Sequence, residues 1–137
     1  MKTKLFVASL ITAAALCGQA QSTATPDIDQ CAPVVVKTVP EAGSTDVAPG
    51  EMEIKAVFSK EMMDQAWSWC TAWDKSMPEM IGKPHYEADH KTCVLKVKLE
   101  PGKTYGIWLN TQKFTSFQDP QHHHAIPYLL TFKTRDH

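Results

Sequence analysis

The chain has no clustered basic stretch and no run of like charges. Its 14 Lys and Arg face 15 Asp and Glu, for a formal charge of −1, and the two signs are interspersed. Binding a phosphate backbone needs a clustered basic face, so nucleic acid is not an expected partner. No block of one sign marks an interaction tail. Cys-x-x-Cys and Cys/His pairs at ligand spacing are missing, which removes a zinc finger. There is no Gly-x-Ser-x-Gly elbow, no cysteine in a recognisable nucleophile setting and no glycine-rich phosphate loop. Glu79, Glu87 and Asp89 fall in expected loops, where any two carboxylates can be called a pair. The expectation is a protein that is not an enzyme. No amphipathic helix, internal repeat or low-complexity tract stands out either.

What is present begins with an export signal. Met1-Lys-Thr-Lys is basic, residues 5–16 are apolar apart from Ser9 and Thr12, and Gly18-Gln-Ala20 offers small residues for a peptidase. The apolar run, about a dozen residues, is shorter than the roughly 20 that a helical membrane span needs. A signal peptide over residues 1–20 is therefore expected, with a mature chain from Gln21 in the periplasm or outside the cell. Cys17 raises lipidation, but Leu16 stands where a small residue belongs. Losing Lys2 and Lys4 shifts the mature chain to about −3. About 117 residues remain, enough for one domain and not two. Residues 21–32, rich in Ser, Thr and Asp, read as a flexible leader, and 33–135 as the domain.

Three cysteines survive cleavage: Cys31, Cys70 and Cys93. In an oxidising compartment one disulfide and one spare thiol is the simplest outcome. The expected pair is Cys70 with Cys93, leaving Cys31 in the leader.

The domain reads as short strands between turns. Residues 34–39 form the first, with Val34 and Val36 inward and Lys37 outward. Residues 52–59 follow, with Met52, Ile54, Ala56 and Phe58 on one face. Residues 66–73 carry Trp67, Trp69 and Trp73 on one side. Residues 74–84 read as loop, followed by a hairpin turn around Ala88-Asp89. In 92–99, Cys93, Leu95, Val97 and Leu99 alternate with outward Lys96 and Lys98. Pro101-Gly102 is a tight turn. Residues 104–110 and 128–134 are the last strands, separated by a loop from 111 to 126. About seven antiparallel strands at this spacing predict an all-β sandwich.

Two segments carry a resemblance. Val39-Pro-Glu-Ala-Gly-Ser-Thr-Asp-Val47 and Ile54-Lys-Ala-Val-Phe-Ser-Lys-Glu-Met-Met-Asp64 resemble the opening of the bacterial SbsA-type Ig-like domain (Big_5-like). Glu100-Pro-Gly-Lys-Thr-Tyr105 is similar to that family's turn into its penultimate strand. Asp119 and Leu130-Thr-Phe-Lys-Thr134 are similar to its closing loop and last strand. The resemblance covers the chain from Pro33 on. It implies an Ig-like β-sandwich, exported or at the cell surface, used for spacing, adhesion or binding, with no catalytic residues to carry over. Pro120-Gln-His-His-His124 departs from the Gly-Asn-type turn usual after that Asp. A partner in trans, an envelope protein or polysaccharide, is the expectation.

Two constellations stand out as sites. His122, His123 and His124, with Asp119 and with His85 or His90 if loops converge, could hold Cu or Zn. Adjacent residues of an extended chain point to opposite sides, so two of the three histidines could share an ion. Met62, Met63, Met77 and Met80 add thioethers that suit Cu(I). The CopC-like periplasmic copper carriers are similar in fold, in the Pro-x-x-Gly opening and in the Phe-Ser strand end. Their mature chain starts with a histidine ligand, where Gln21 stands here. The bland alternatives are a solvated His-rich loop and methionines packed under a turn. The second constellation is Trp67, Trp69 and Trp73, either a stacking platform for sugar or peptide or, as is commoner, part of the core.

Overall fold

A computed structural model describes residues 25–137. The expected signal peptide, Cys17 and residues 21–24 of the leader lie outside the described residues.

Alternation of apolar and polar residues builds the first sheet. Strand β2 (Gly50–Phe58) and strand β6 (Thr92–Leu99) pair antiparallel from Gly50 opposite Leu99 to Val57 opposite Thr92. This register puts Ile54, Ala56 and Phe58 on the same face as Cys93, Leu95 and Val97, and all six are buried. Strand β1 (Val35–Val39) adds to the other side of β2. Two strands of two residues each, β4 (Glu79–Met80) and β5 (His85–Tyr86), share the far side of β6. Both are too short to show a period, and β4 falls in the stretch expected to be loop. The turn at Ala88-Asp89 is as expected. Asp89 Oδ1 accepts from the Lys91 and Thr92 amides at 2.9 and 3.0 Å, and Oδ2 accepts from the Thr92 hydroxyl at 2.8 Å.

The second sheet has three strands in the order β3 (Trp69–Thr71), β7 (Thr104–Leu109) and β8 (Tyr128–Lys133). Tyr105, Ile107, Leu109, Leu130 and Phe132 point from it into the shared core. Among the described residues the chain is all-β, eight strands in two antiparallel sheets packed as an Ig-like sandwich.

Three expectations are corrected. In β1 the register slips between Val35 and Lys37, a bulge that turns the strand over. Val34 and Val36 are 40% and 59% exposed, while Val35 packs on the core and Thr38 is buried. The third strand stops at Thr71, because Ser76 takes over the ladder. Its hydroxyl accepts from the Ala72 and Trp73 amides and donates to Gly106 O at 2.6 Å. The disulfide is not formed: Cys31, Cys70 and Cys93 are free thiols. The reason is which way each points. Cys93 faces the core from β6, whereas Cys70 lies opposite Trp108, on the outer face of the other sheet.

The leader is also partly structured. Residues 28–30 form a 3-10 turn capped by Asp27, and the Lys60 ammonium reaches the carbonyls of Ile28, Asp29 and Cys31 at 3.0 to 3.1 Å.

Candidate functional site

An apolar cleft of about 720 Å³ runs along the outer edge of β3. Residues 67–71 form one wall, Met80 of β4 stands on one side, and Thr111, Lys113 and Phe114 on the other. Two of the three tryptophans expected as a site meet here. Trp69 points inward, with its ring edge-on to Phe117 at 5.4 Å, so it is both core and cleft wall. Its buried indole Nε1 has no hydrogen-bond partner among the described residues. Trp67 sits 6.3 Å from the Tyr86 ring, with the Lys83 ammonium 5.6 Å from its centroid. The Tyr86 hydroxyl donates to Ala66 O at 2.8 Å and holds the approach to β3 in place.

Trp73 is not part of the cleft lining. Beyond the end of β3 it folds over Gly106 on the outer face of the three-stranded sheet and is 44% exposed. A Cβ at position 106 would lie 2.2 Å from the indole, so glycine is what lets the ring lie flat there. The three tryptophans therefore do not form one stripe.

The opposite lip of the cleft is built by a residue that pattern reading missed. Asn110 is fully buried in a left-handed conformation, φ 63°, which asparagine tolerates better than most residues. Its side-chain amide donates to Phe117 O and Ala125 O at 2.9 and 3.1 Å, and its Oδ1 accepts from Phe117 N at 2.9 Å. These bonds close the 110–125 loop on itself. Thr111 then tightens its tip, accepting from the Phe114 amide at 3.0 Å, and the Phe114 ring stands out at 53% exposure. Ser68 Oγ accepts from Ser116 N at 2.9 Å and ties this lip to β3.

The expected metal residues are spread over several jobs. Asp119 is fully buried and saturated. It accepts from Lys60 Nζ at 2.6 Å, from the Gln121 and His123 amides at 3.0 and 2.8 Å, and meets His123 Nδ1 at 2.8 Å. Burial alone would raise its carboxyl. The hydrogen bonds from Lys60 and His123 outweigh that and hold it down to about 2. His122 Nδ1 faces Gln118 Oε1 and His124 Nδ1 faces Thr115 O. Asp119 and His123 are thus brought together, while His122 and His124 turn to separate neighbours. No group of three or more His, Cys, Asp or Glu converges on one point among the described residues. Met62 is buried in the core, whereas Met80 is exposed on the cleft.

The thiols have different chemistry. Burial pushes Cys93 up to about 12, an inert core thiol. Partial burial also raises Cys70, though less, at the cleft wall.

Among the described residues no helix is long and apolar enough to cross a membrane. No curated protein sequence matches the chain. The profile of the bacterial Ig-like domain matches residues 29–134, nearly the whole of the described sandwich. The two antiparallel sheets, the buried alternating faces and this match agree, and the chain belongs to the bacterial Ig-like domain family.

Proposed function

We propose that the protein is an exported, non-catalytic binding module of the cell envelope, and that the β3 cleft is its binding face. The observation that carries this reading is the cleft itself. Trp67, Trp69, Met80 and Phe114 give it apolar walls at an edge that no other strand covers among the described residues. Concave apolar surface with a few polar groups is the usual form of a ligand site. Export is supported by the basic start, the short apolar run and the small residues before Gln21. The ligand would be an envelope protein or polysaccharide.

The test is a titration of the purified protein with envelope polysaccharides, peptidoglycan fragments and peptides, read by tryptophan emission. Phe114→Ala removes an exposed ring and leaves the core intact, so it separates binding from folding. Binding should weaken at least tenfold in Phe114→Ala and in Trp67→Ala. Binding that neither change alters places the ligand elsewhere. N-terminal sequencing of the protein recovered from its native host should begin at Gln21; a chain still starting at Met1 in the envelope fraction would sink the export reading.

A further inference from the structure

The cleft differs from a general apolar hollow because its wall is a strand edge. β3 is the outer strand of the three-stranded sheet. Asn110 N donates to Ser68 O, which sets the phase of the β3/β7 ladder. Ser68 and Cys70 turn their main-chain groups toward β7. The N–H and C=O groups of Trp69 and Thr71 therefore point the other way, along the cleft. Residues 67–71 all line it, and the strand among them, Trp69–Thr71, covers about 10 Å. Paired main-chain donors and acceptors two residues apart, on Trp69 and Thr71, are the groups that another extended polypeptide matches when it adds to a sheet edge.

Charge narrows the occupant further. Among the described residues the one charged side chain on the cleft wall is Lys113, whose ammonium lies 5.5 Å from the Phe114 ring centroid. Lys83 stands over the Trp67 ring but outside the cleft, in a neighbouring hollow that it shares with Asp64. Among the described residues no acidic side chain lines the cleft.

We propose that β3 accepts an extended segment of a partner polypeptide as an added strand. Its aliphatic side chains enter between Trp69, Met80 and Phe114, and an acidic side chain meets Lys113. The proposal rests on the reading of the cleft as the binding face, and it names the occupant and the mode of contact. The edge is short and flanked by Lys113, which limits uncontrolled strand pairing and leaves room for a matched sequence.

The experiment is selection of a random heptapeptide phage library on the full chain, followed by synthesis of the enriched peptides. The expected peptides carry aliphatic residues in alternation and an Asp or Glu, and protect the Trp69 and Thr71 amides from hydrogen exchange. N-methylation of alternate peptide amides should weaken them at least tenfold, as should Lys113→Glu. Failure to enrich any peptide overturns the proposal, as do enriched peptides indifferent to N-methylation. Polysaccharide that quenches Trp67 and Trp69 emission, with no peptide binding, keeps the cleft as a binding face and overturns strand addition alone. Self-association that protects the same amides assigns the edge to a second copy of the chain and also overturns the partner segment. If neither peptide nor polysaccharide perturbs the tryptophans, both readings fall together.

Discussion

Lys60 and Asp119 form a buried ion pair, 2.6 Å from Nζ to Oδ2, between side chains 10% and 0% exposed. Around it the chain places three carbonyls on the ammonium and two amides plus an imidazole on the carboxylate. Removing one member of such a pair leaves the other charge buried without its partner. Lys60→Met is expected to cost about 3–5 kcal/mol in urea unfolding, by the usual range for breaking a buried pair. It should also release the 28–31 turn, seen as faster hydrogen exchange there. A loss below about 1 kcal/mol would show that the pair contributes no more than a surface one.

Acid should find this pair. Asp119 is held down to about 2 in the folded chain, below the ordinary carboxylate range near 4. A carboxyl lowered by folding contributes stability that is present above its unfolded value and is lost as pH falls through the folded one. The window is therefore about pH 4 down to about 2. Asp89, lowered by the Lys91 amide and the Thr92 hydroxyl, acts in the same direction. Urea midpoints measured from pH 7 to 2 should fall most steeply at the acid end. Asp119→Asn should start lower and fall less, and an unchanged slope in that variant would count against the assignment.

Gly106 and Trp73 make a second specific fit. Gly106→Ala must displace the indole, since the new Cβ would sit 2.2 Å from it. Overpacking of this kind costs about 1–3 kcal/mol. Adding Trp73→Ala to Gly106→Ala should recover part of that loss, so the double-mutant cycle should be strongly non-additive. Additive effects would mean that the ring and the glycine do not share a site.

Asn110→Ala removes three buried hydrogen bonds and keeps a non-glycine residue in a left-handed conformation. At about 1 kcal/mol for each bond, the loss is expected near 3 kcal/mol in chemical denaturation. Because Asn110 fixes the lip that carries Phe114, ligand binding at the cleft should weaken as well. Lost stability with binding unchanged would separate the loop from the site.

The thiols give a direct check on the absent bridge. Alkylation of the native protein followed by peptide mass analysis should mark Cys70 and leave Cys93 unmodified until the chain unfolds. A peptide joining the two through sulfur would contradict the outward position of Cys70.

Strand patterning makes most of the sandwich legible in the sequence. The inward positions of 52–59, 92–99 and 104–110 are legible because both sheets turn one side to a single core, although Val94 and Gly106 on the outer faces are buried too, Gly106 under Trp73. The failures have local causes. The bulge after Val35 reverses β1, and a row of three valines offers no polar residue to reveal it. Trp67, Trp69 and Trp73 have strand spacing, yet Ser76 ends the strand before the third by hydrogen bonds from outside the segment. β4 and β5 borrow their conformation from β6 and have no period of their own. At the site, the tryptophans could be flagged by type, but the partners that shape the cleft could not. Asn110 and Phe114 matter through contacts made elsewhere in the chain, and a one-dimensional pattern does not carry those. The histidine triplet shows the opposite case, a conspicuous motif whose rings turn to three different neighbours.

The 3-10 turn at residues 28–30 has a mechanical consequence. Tension applied to the chain ahead of Asp27 does not load β1 first. It is received by three carbonyls gripping a single ammonium, and through it by a carboxylate anchored in the 119–123 loop. The sandwich thus carries a small breakaway coupling in front of its first strand. In a pulling experiment from the N-terminal side, a short low-force step should precede rupture of the β1/β2 ladder, and Lys60→Met should erase it.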